Sequence, residues 1–159
     1  MGAMASPMLA QPFPNFTIDT LSIKQAKSIG PMLIVVWRVQ CPTSQLLIPF
    51  IERMAKHYPA ATVVGIVQNT AEELKEAVDE SQLTMKMYAD PNLRVSSFLG
   101  VEFVPTYWLV GRGGTTLVQG TGWDRDKVLL IAHSLAVEAS TTYVPIFTRE
   151  DRLPTSRAA

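Results

Sequence analysis

Residues 35–44, VVWRVQCPTS, connect an apolar run to a helix-like segment across one polar turn. The apolar run, Met32–Trp37, is rich in β-branched residues and has the length of a strand that is buried on both faces. From residue 43 to residue 57, apolar residues recur at helical spacing. Cys41, the one cysteine of the chain, lies between the two patterns. The stretch therefore predicts a strand, a turn that carries a thiol, and a helix.

The composition is that of a globular domain and not of a disordered chain, since the 159 residues are 47% hydrophobic and 18% charged. The 14 acidic and 14 basic residues balance, so we expect no nucleic-acid partner. No apolar run is long enough to predict a membrane-spanning segment. A single cysteine excludes an internal disulfide, and two separated histidines without clustered carboxylates predict no metal site. We expect no cofactor, and the oligomeric state stays open.

The distribution of prolines and periodic patterns divides the chain into three parts. Residues 1–10 predict an extended arm or an expression scar, residues 11–139 one α/β domain, and residues 140–159 a partly ordered tail. The first residues, MGAMASPM, lack the charged and apolar regions of a secretory signal. The compartment therefore stays unknown: the sequence as it stands indicates a cytoplasmic protein, and a periplasmic or exported location is open if a leader was removed.

Strands and helices alternate through the domain in the order β-α-β-α-β-β-α. The predicted strands are 32–37, 61–67, 85–88, 106–110 and 115–120. The predicted helices are 43–57, 71–80, 95–99 and 125–138. A short strand at 16–19 and a turn or two of helix at 22–27 precede them. Thr70 and Glu73 form a capping box, Asp124 caps the last helix, and Pro49 predicts a kink. Strands joined through helices predict a parallel half of the sheet, and the final hairpin adds an antiparallel half. The fold class is α/β, with a central mixed sheet flanked by helices.

Two further landmarks accompany the cysteine. Trp37 lies four residues before Cys41, and Pro49 lies five residues after Ser44. Residues 100–106, GVEFVPT, place a proline and a threonine directly before a predicted strand. These spacings resemble those of the thioredoxin-like superfamily, and in particular of the TlpA/ResA-type redoxins and their AhpC/TSA relatives.

The resemblance covers roughly residues 11–138. It implies a thioredoxin-like fold in which a cis Val104–Pro105 peptide bond faces Cys41. The chain departs from the redoxin pattern where Ser44 replaces the second cysteine of the CxxC pair.

Three more departures concern proton movement and family membership. Gln40 replaces the usual tryptophan before the first cysteine, and Val35 stands where an Asp or Asn often helps to move protons. Arg38 occupies the position of the threonine in the peroxiredoxin signature. The family's chemistry is therefore expected in altered form.

We predict that Cys41 is a nucleophile and that Ser44 assists it. At the start of a helix, free N–H groups and the helix dipole favour the thiolate, and a proline fits in the first turn. Without a resolving thiol in the chain, a mixed disulfide on Cys41 needs an external thiol for its release. The predicted substrate-contacting residues are Trp37, Gln40, Pro42, Thr43, Val104 and Pro105. The expected partners are protein or small-molecule thiols and disulfides.

Several interpretations stay open. Ser44 is a natural substitution whose hydroxyl bonds the thiolate, an engineered serine that traps a complex, or ordinary first-turn helix chemistry. Because Gln40 and Val35 depart as well, natural divergence is favoured. The predicted function is monothiol thiol–disulfide exchange through Cys41, and the alternatives are a redox-inactive interaction domain that keeps a peptide groove, and a one-cysteine peroxidase. Whether the chain is an enzyme stays open at this stage.

Overall fold

A five-stranded sheet forms the centre of the computed structural model, which describes residues 9–148 and 151–159. The strands are β1 (Thr17–Ile18), β2 (Leu21–Ser22), β3 (Met32–Trp37), β4 (Thr62–Val67), β5 (Lys86–Ala89), β6 (Thr106–Val110), β7 (Thr116–Thr121), β8 (Trp123–Asp124) and β9 (Ser156–Arg157). The helices are α1 (Ile23–Ile29), α2 (Pro42–His57), α3 (Ala71–Ser81), α4 (Arg94–Phe98) and α5 (Arg125–Glu138). Most of the predicted N-terminal arm, residues 1–8, lies outside the described residues.

The strand order of the central sheet is β5-β4-β3-β6-β7. β3 pairs in parallel with β4, and β4 with β5, whereas β6 runs antiparallel to both β3 and β7. The mixed α/β sheet predicted from the sequence is thereby confirmed. Val36 of β3 lies opposite Thr106, the first residue of β6. The turn that follows β3 therefore lies beside the loop that precedes β6.

Helices cover both faces of the sheet. Leu33, Val35 and Trp37 belong to a core cluster with residues of α2, α3 and α5, and Met32, Ile34 and Val36 belong to a second cluster with residues of α1 and α4. Because β3 is central and covered on both sides, all six of its residues are buried. Among residues 9–148 and 151–159, no helix has the length and apolarity needed to cross a membrane.

The predicted helix caps are confirmed. The Thr70 hydroxyl accepts a hydrogen bond from the Glu73 N–H at 3.2 Å, and the Glu73 carboxylate accepts one from the Thr70 N–H at 3.1 Å. Asp124 accepts from the N–H of Lys127 at 3.1 Å. Helix α2 continues through Pro49 to His57, and a kink at Pro49 stays a prediction.

The chain after α5 folds back onto the domain. The sequence analysis predicts a partly ordered tail over residues 140–159, and in the structure the described part of this segment has specific contacts. Ile146 is buried, and the ring of Phe147 lies 5.0 Å from that of Phe50 on α2. Asp151 forms an ion pair with Arg53 of α2 at 2.9 Å. Isolated apolar residues in a polar segment leave no periodic pattern, so the sequence contains no local indication of this packing.

Candidate functional site

Cys41 is the N-cap of α2, in the position predicted for it. Its backbone is extended, with φ −78° and ψ 117°, and Pro42 occupies the first turn. The sulfur accepts a hydrogen bond from the N–H of Ser44 at 3.4 Å. A side chain at an N-cap normally accepts such a bond from an N–H group that the helix leaves unpaired. The same bond here places the sulfur at the positive end of the helix dipole.

Ser44 lies in the first turn of α2, three residues after Cys41. Its side chain is 0% exposed, and its hydroxyl accepts a hydrogen bond from the N–H of Arg38 at 3.4 Å. The side chain of Ser44 is one of the groups that favour the thiolate of Cys41. As an alcohol, it cannot form a disulfide with the cysteine.

The surroundings of Cys41 favour its ionised form. Burial raises the pKa of Cys41, but hydrogen bonds from Ser44 and from the backbone of Thr43 lower it. The charge of Arg157 lowers the pKa of Cys41 further, so that the pKa lies below the ordinary value of a cysteine. The thiolate is the nucleophilic form of the side chain, and a lowered pKa increases its population at neutral pH.

The loop before β6 faces the sulfur. The Val104–Pro105 peptide bond is cis, as the resemblance implies, and the Cys41 sulfur lies 3.6 Å from the carbonyl oxygen of Val104. The Thr106 hydroxyl donates to the carbonyl of Phe103 at 2.6 Å and so closes the loop. Pro105 is buried, whereas Val104 is half-buried at the surface.

Phe103 is a surface residue that the sequence analysis missed. Its side chain is 61% exposed, one residue before the cis peptide bond. An exposed aromatic side chain on the loop that faces Cys41 offers an apolar contact for a bound molecule. An aromatic residue just before the Val104–Pro105 pair was the available indication in the sequence.

Gln40 belongs to a polar network on the other side of the thiol. The buried Asn69 accepts from the N–H of Val39 at 2.9 Å and donates to the Gln40 side chain at 2.8 Å. Gln40 in turn donates to Glu73 at 3.2 Å. The pKa of Glu73 is lowered, mainly by its hydrogen bonds from Thr70. The network holds the turn before Cys41 against the start of α3.

Two of the sequence-derived positions lie away from the surface. Trp37 is 3% exposed, belongs to the core, and its Nε1 finds no hydrogen-bond partner among the described residues. A contact between Trp37 and substrate stays a prediction. Val35 is fully buried and pairs with Tyr107 in the sheet, so the position that often carries an acid in redoxins supplies none here.

Thr43 and Pro42 complete the first turn of α2. Pro42 is exposed beside the sulfur. Thr43 is buried and donates from its hydroxyl to the carbonyl of Ala158 at 2.8 Å. A chain segment that the sequence analysis did not connect with the site therefore reaches it. Of the predicted residues, Cys41, Ser44 and the Val104–Pro105 pair lie together around the sulfur.

The fold and this site define a thioredoxin-like domain, with a cysteine at a helix N-terminus opposite a cis-proline loop. Residues 9–119 match the AhpC/TSA family, and the chain belongs to that family. No curated protein sequence matches the chain.

Solved structures share the fold at low sequence identity. A putative thiol:disulfide interchange protein DsbE from Chlorobium tepidum is 20% identical with a TM-score of 0.73, over 84% of this chain and 99% of that one. A putative protein disulfide isomerase from Bacteroides thetaiotaomicron is 14% identical with a TM-score of 0.76, over 84% and 91% of the two chains. StoA from Bacillus subtilis is 15% identical with a TM-score of 0.59, over 71% and 90%.

Proposed function

We propose that the protein carries out monothiol thiol–disulfide exchange through Cys41. The observation that carries the proposal is the position of the sulfur, 3.4 Å from a helical N–H group and 3.6 Å from the carbonyl oxygen that precedes the cis peptide bond. The lowered pKa of Cys41 supports attack near neutral pH. Membership of the AhpC/TSA family and the similarity in fold to a putative thiol:disulfide interchange protein also support this chemistry.

The reaction consists of two exchanges. The Cys41 thiolate attacks one sulfur of a substrate disulfide, a bond forms between the two sulfurs, and the other substrate sulfur leaves as a thiolate that takes a proton from water. An external thiolate then attacks the substrate sulfur of this mixed disulfide and releases Cys41 as a thiolate. The substrate disulfide is thereby converted into a new disulfide with the external thiol, and Cys41 is unchanged overall.

Ser44 favours the thiolate of Cys41, which is the attacking group in the first exchange and the leaving group in the second. Its buried side chain favours the thiolate, and the N–H of the same residue donates to the sulfur at 3.4 Å. An alcohol oxygen cannot attack the mixed disulfide as a thiol does, so resolution comes from outside the chain.

The surface beside the thiol fits an extended peptide. Val104 is half-buried next to the sulfur, and the exposed ring of Phe103 adds apolar area on the same loop. An extended substrate adds its backbone alongside such a loop and contacts neighbouring pockets with its side chains. A protein disulfide in an extended segment is therefore the substrate class that this surface favours.

The ionisation of Cys41 tests the first requirement of the proposal. The rate of alkylation by iodoacetamide is followed across pH for the wild-type protein, with Cys41→Ala as the unreactive control. We expect a midpoint well below about 8.5, the ordinary cysteine value. A midpoint at or above that value contradicts the proposal and favours a redox-inactive interaction domain.

The fate of the mixed disulfide tests the monothiol step. After mixing with a small disulfide, mass spectrometry is expected to detect an adduct on Cys41 that persists until an external thiol is added. In Ser44→Cys the adduct is expected to be short-lived, because a thiol one helical turn away can attack it. Failure of the wild-type protein to form the adduct contradicts the proposal. Rapid consumption of hydrogen peroxide with sulfenic acid on Cys41 supports the peroxidase alternative instead.

A further inference from the structure

The segment 154–158 is attached to the start of α5 by its backbone. β9 pairs antiparallel with β8, so that Arg157 lies opposite Trp123 and Ser156 opposite Asp124. The N–H of Arg125 donates to the carbonyl of Thr155 at 2.9 Å. These bonds place the segment in extended form along the loop that links β7 to α5.

Side chains anchor the segment at both of its ends. The indole N–H of Trp123 donates to the carbonyl of Pro154 at 2.7 Å. At the other end, the hydroxyl of Thr43 donates to the carbonyl of Ala158 at 2.8 Å. Thr43 lies in the first turn of α2, two residues after Cys41. The segment therefore runs from β8 to the helix turn that holds the thiol, and Arg157 lies next to that second anchor.

Gly122 allows the close approach of the segment. Its φ is +79°, a conformation that favours glycine, and a Cβ atom there would lie 2.6 Å from the carbonyl oxygen of Arg157. The N–H of Gly122 donates to the carbonyl of Pro105 at 2.8 Å. Gly122 thus contacts both the cis-proline loop and the segment 154–158, so the segment borders the Cys41 site.

We propose that Arg157 is a positioning residue of this site, held beside the sulfur by the segment 154–158, where it stabilises the Cys41 thiolate and favours substrates that carry negative charge. The inference rests on the exchange chemistry proposed above. The lowering of the Cys41 pKa by the charge of Arg157 agrees with this geometry.

Four other charged residues lie on the segments that border the Cys41 site, and their bonding differs from that of Arg157. Glu73 on α3 accepts from Gln40 and from its own cap, and Asp124 on β8 accepts from the N–H of Lys127. Arg38 in the preceding turn and Glu102 in the loop before the cis bond have exposed side chains, as Arg157 has, but the Thr43 hydroxyl donates to the segment that carries Arg157. Helix α2 contributes no charged residue in its first turn. Arg157 directly precedes Ala158, whose carbonyl accepts the hydrogen bond from Thr43. The backbone therefore holds this cation next to the first turn of α2.

The alkylation profile of Cys41 tests the role of Arg157 without requiring catalysis. Iodoacetamide is uncharged, so its rate reports the thiolate. In Arg157→Gln we expect a higher midpoint and about a two- to threefold lower rate at pH 7, because one charge near a half-exposed group acts through water. Arg157→Lys is expected to keep most of the effect. Arg152→Gln, at an exposed arginine two residues before the segment 154–158, is the matched control and is expected to leave the midpoint unchanged.

Charge selectivity gives a second measurement. Exchange is compared between 5,5′-dithiobis(2-nitrobenzoate), which carries two carboxylates, and the neutral 4,4′-dithiodipyridine. Arg157→Gln is expected to slow the anionic disulfide more than the neutral one, and 1 M salt is expected to reduce the difference because the Debye length falls to about 3 Å.

The outcomes separate this inference from the proposed function. A wild-type midpoint at or above about 8.5 contradicts the exchange proposal itself. A lowered wild-type midpoint that Arg157→Gln leaves unchanged, together with equal slowing of both disulfides, overturns the role of Arg157 and leaves the exchange proposal standing. A raised midpoint in Arg157→Gln alone, with Arg152→Gln unchanged, supports the inference.

Discussion

The sulfur of Cys41 lies 3.6 Å from the carbonyl oxygen of Val104, although 63 residues separate them in the chain. The contact exists because the end of β3 and the beginning of β6 are neighbours in the sheet, with Val36 opposite Thr106. The helix that follows β3 brings the thiol to this edge, and the loop that precedes β6 brings the cis peptide bond. Chemistry at this position therefore depends on strand register as much as on the thiol.

Removing the Ser44 hydroxyl is expected to make Cys41 less reactive. In Ser44→Ala the pKa of Cys41 rises, because a hydrogen bond to the thiolate is lost. Since one such bond contributes about 1 kcal/mol, alkylation at pH 7 is expected to slow about three- to tenfold. The pH dependence of iodoacetamide alkylation measures the effect. Ser97→Ala, at an exposed serine of α4, is the control, and equal profiles for both variants argue against a bond to the sulfur.

Phe103→Ala tests the apolar contact beside the thiol. We expect kcat/KM for a disulfide-bonded peptide to fall about tenfold, which corresponds to about 1.4 kcal/mol and is typical of an aromatic contact residue. Alkylation of Cys41 by iodoacetamide and the free energy of unfolding are expected to change little, since the ring is 61% exposed. Leu130→Ala, at an exposed apolar residue of α5, is the matched control. A loss of equal size in the control assigns the effect to general surface hydrophobicity.

Gly122→Ala is expected to detach the segment 154–158 from the site. The φ of +79° and the 2.6 Å approach of the Arg157 carbonyl leave no room for a Cβ atom, so the variant is expected to lose about 1–2 kcal/mol of stability. Hydrogen exchange at β8 and β9 is expected to accelerate at the same time. Gly113→Ala has no atom within 4 Å of the added Cβ and serves as the control. Unchanged exchange at β9 in Gly122→Ala contradicts this packing.

The ion pair of Asp151 with Arg53 predicts a pH dependence of stability. Its hydrogen bonds from Arg53 and Thr148 lower the pKa of Asp151 from 3.8 to about 2. A carboxyl group with a lowered pKa in the folded state contributes its full stabilisation above the ordinary pKa and loses it as pH falls through the folded value. The difference in unfolding free energy between wild type and Asp151→Asn is therefore expected to be constant above about pH 4 and to vanish as pH falls through about 2.

The size of that difference is expected to be at most about 1 kcal/mol, because both side chains are partly exposed and solvent screens the pair. Urea unfolding at several pH values measures it. Asp79→Asn, at an exposed acid of α3, is the control. A difference that grows toward low pH has the wrong sign for this interpretation.

Local patterns in the sequence predicted most of the fold. The apolar run became β3, and the capping box at Thr70 and the cap at Asp124 are present. The N-terminal position of Cys41 on α2 followed from the residues around it, and the cis Val104–Pro105 bond followed from family resemblance. These features depend on interactions between residues close in the chain, which leave a pattern that one sequence can show.

The remaining features depend on contacts between distant residues. The two-residue strands β2, β8 and β9 were not predicted, because they are too short to show an alternating pattern. Asn69 supports the turn before Cys41 from the end of β4, and nothing in its neighbourhood in the sequence indicates this.

By itself, the sequence determined the order of strands and helices, the helix caps and the place of the thiol, since each is set by neighbouring residues. The tertiary structure decided what surrounds that thiol: the carbonyl of Val104 and the backbone of residues 154–158. The physical reason is that strand pairing and close backbone approach join segments far apart in the chain, by 63 residues for Cys41 and Val104 and by 115 for Thr43 and Ala158. No local pattern records such a contact.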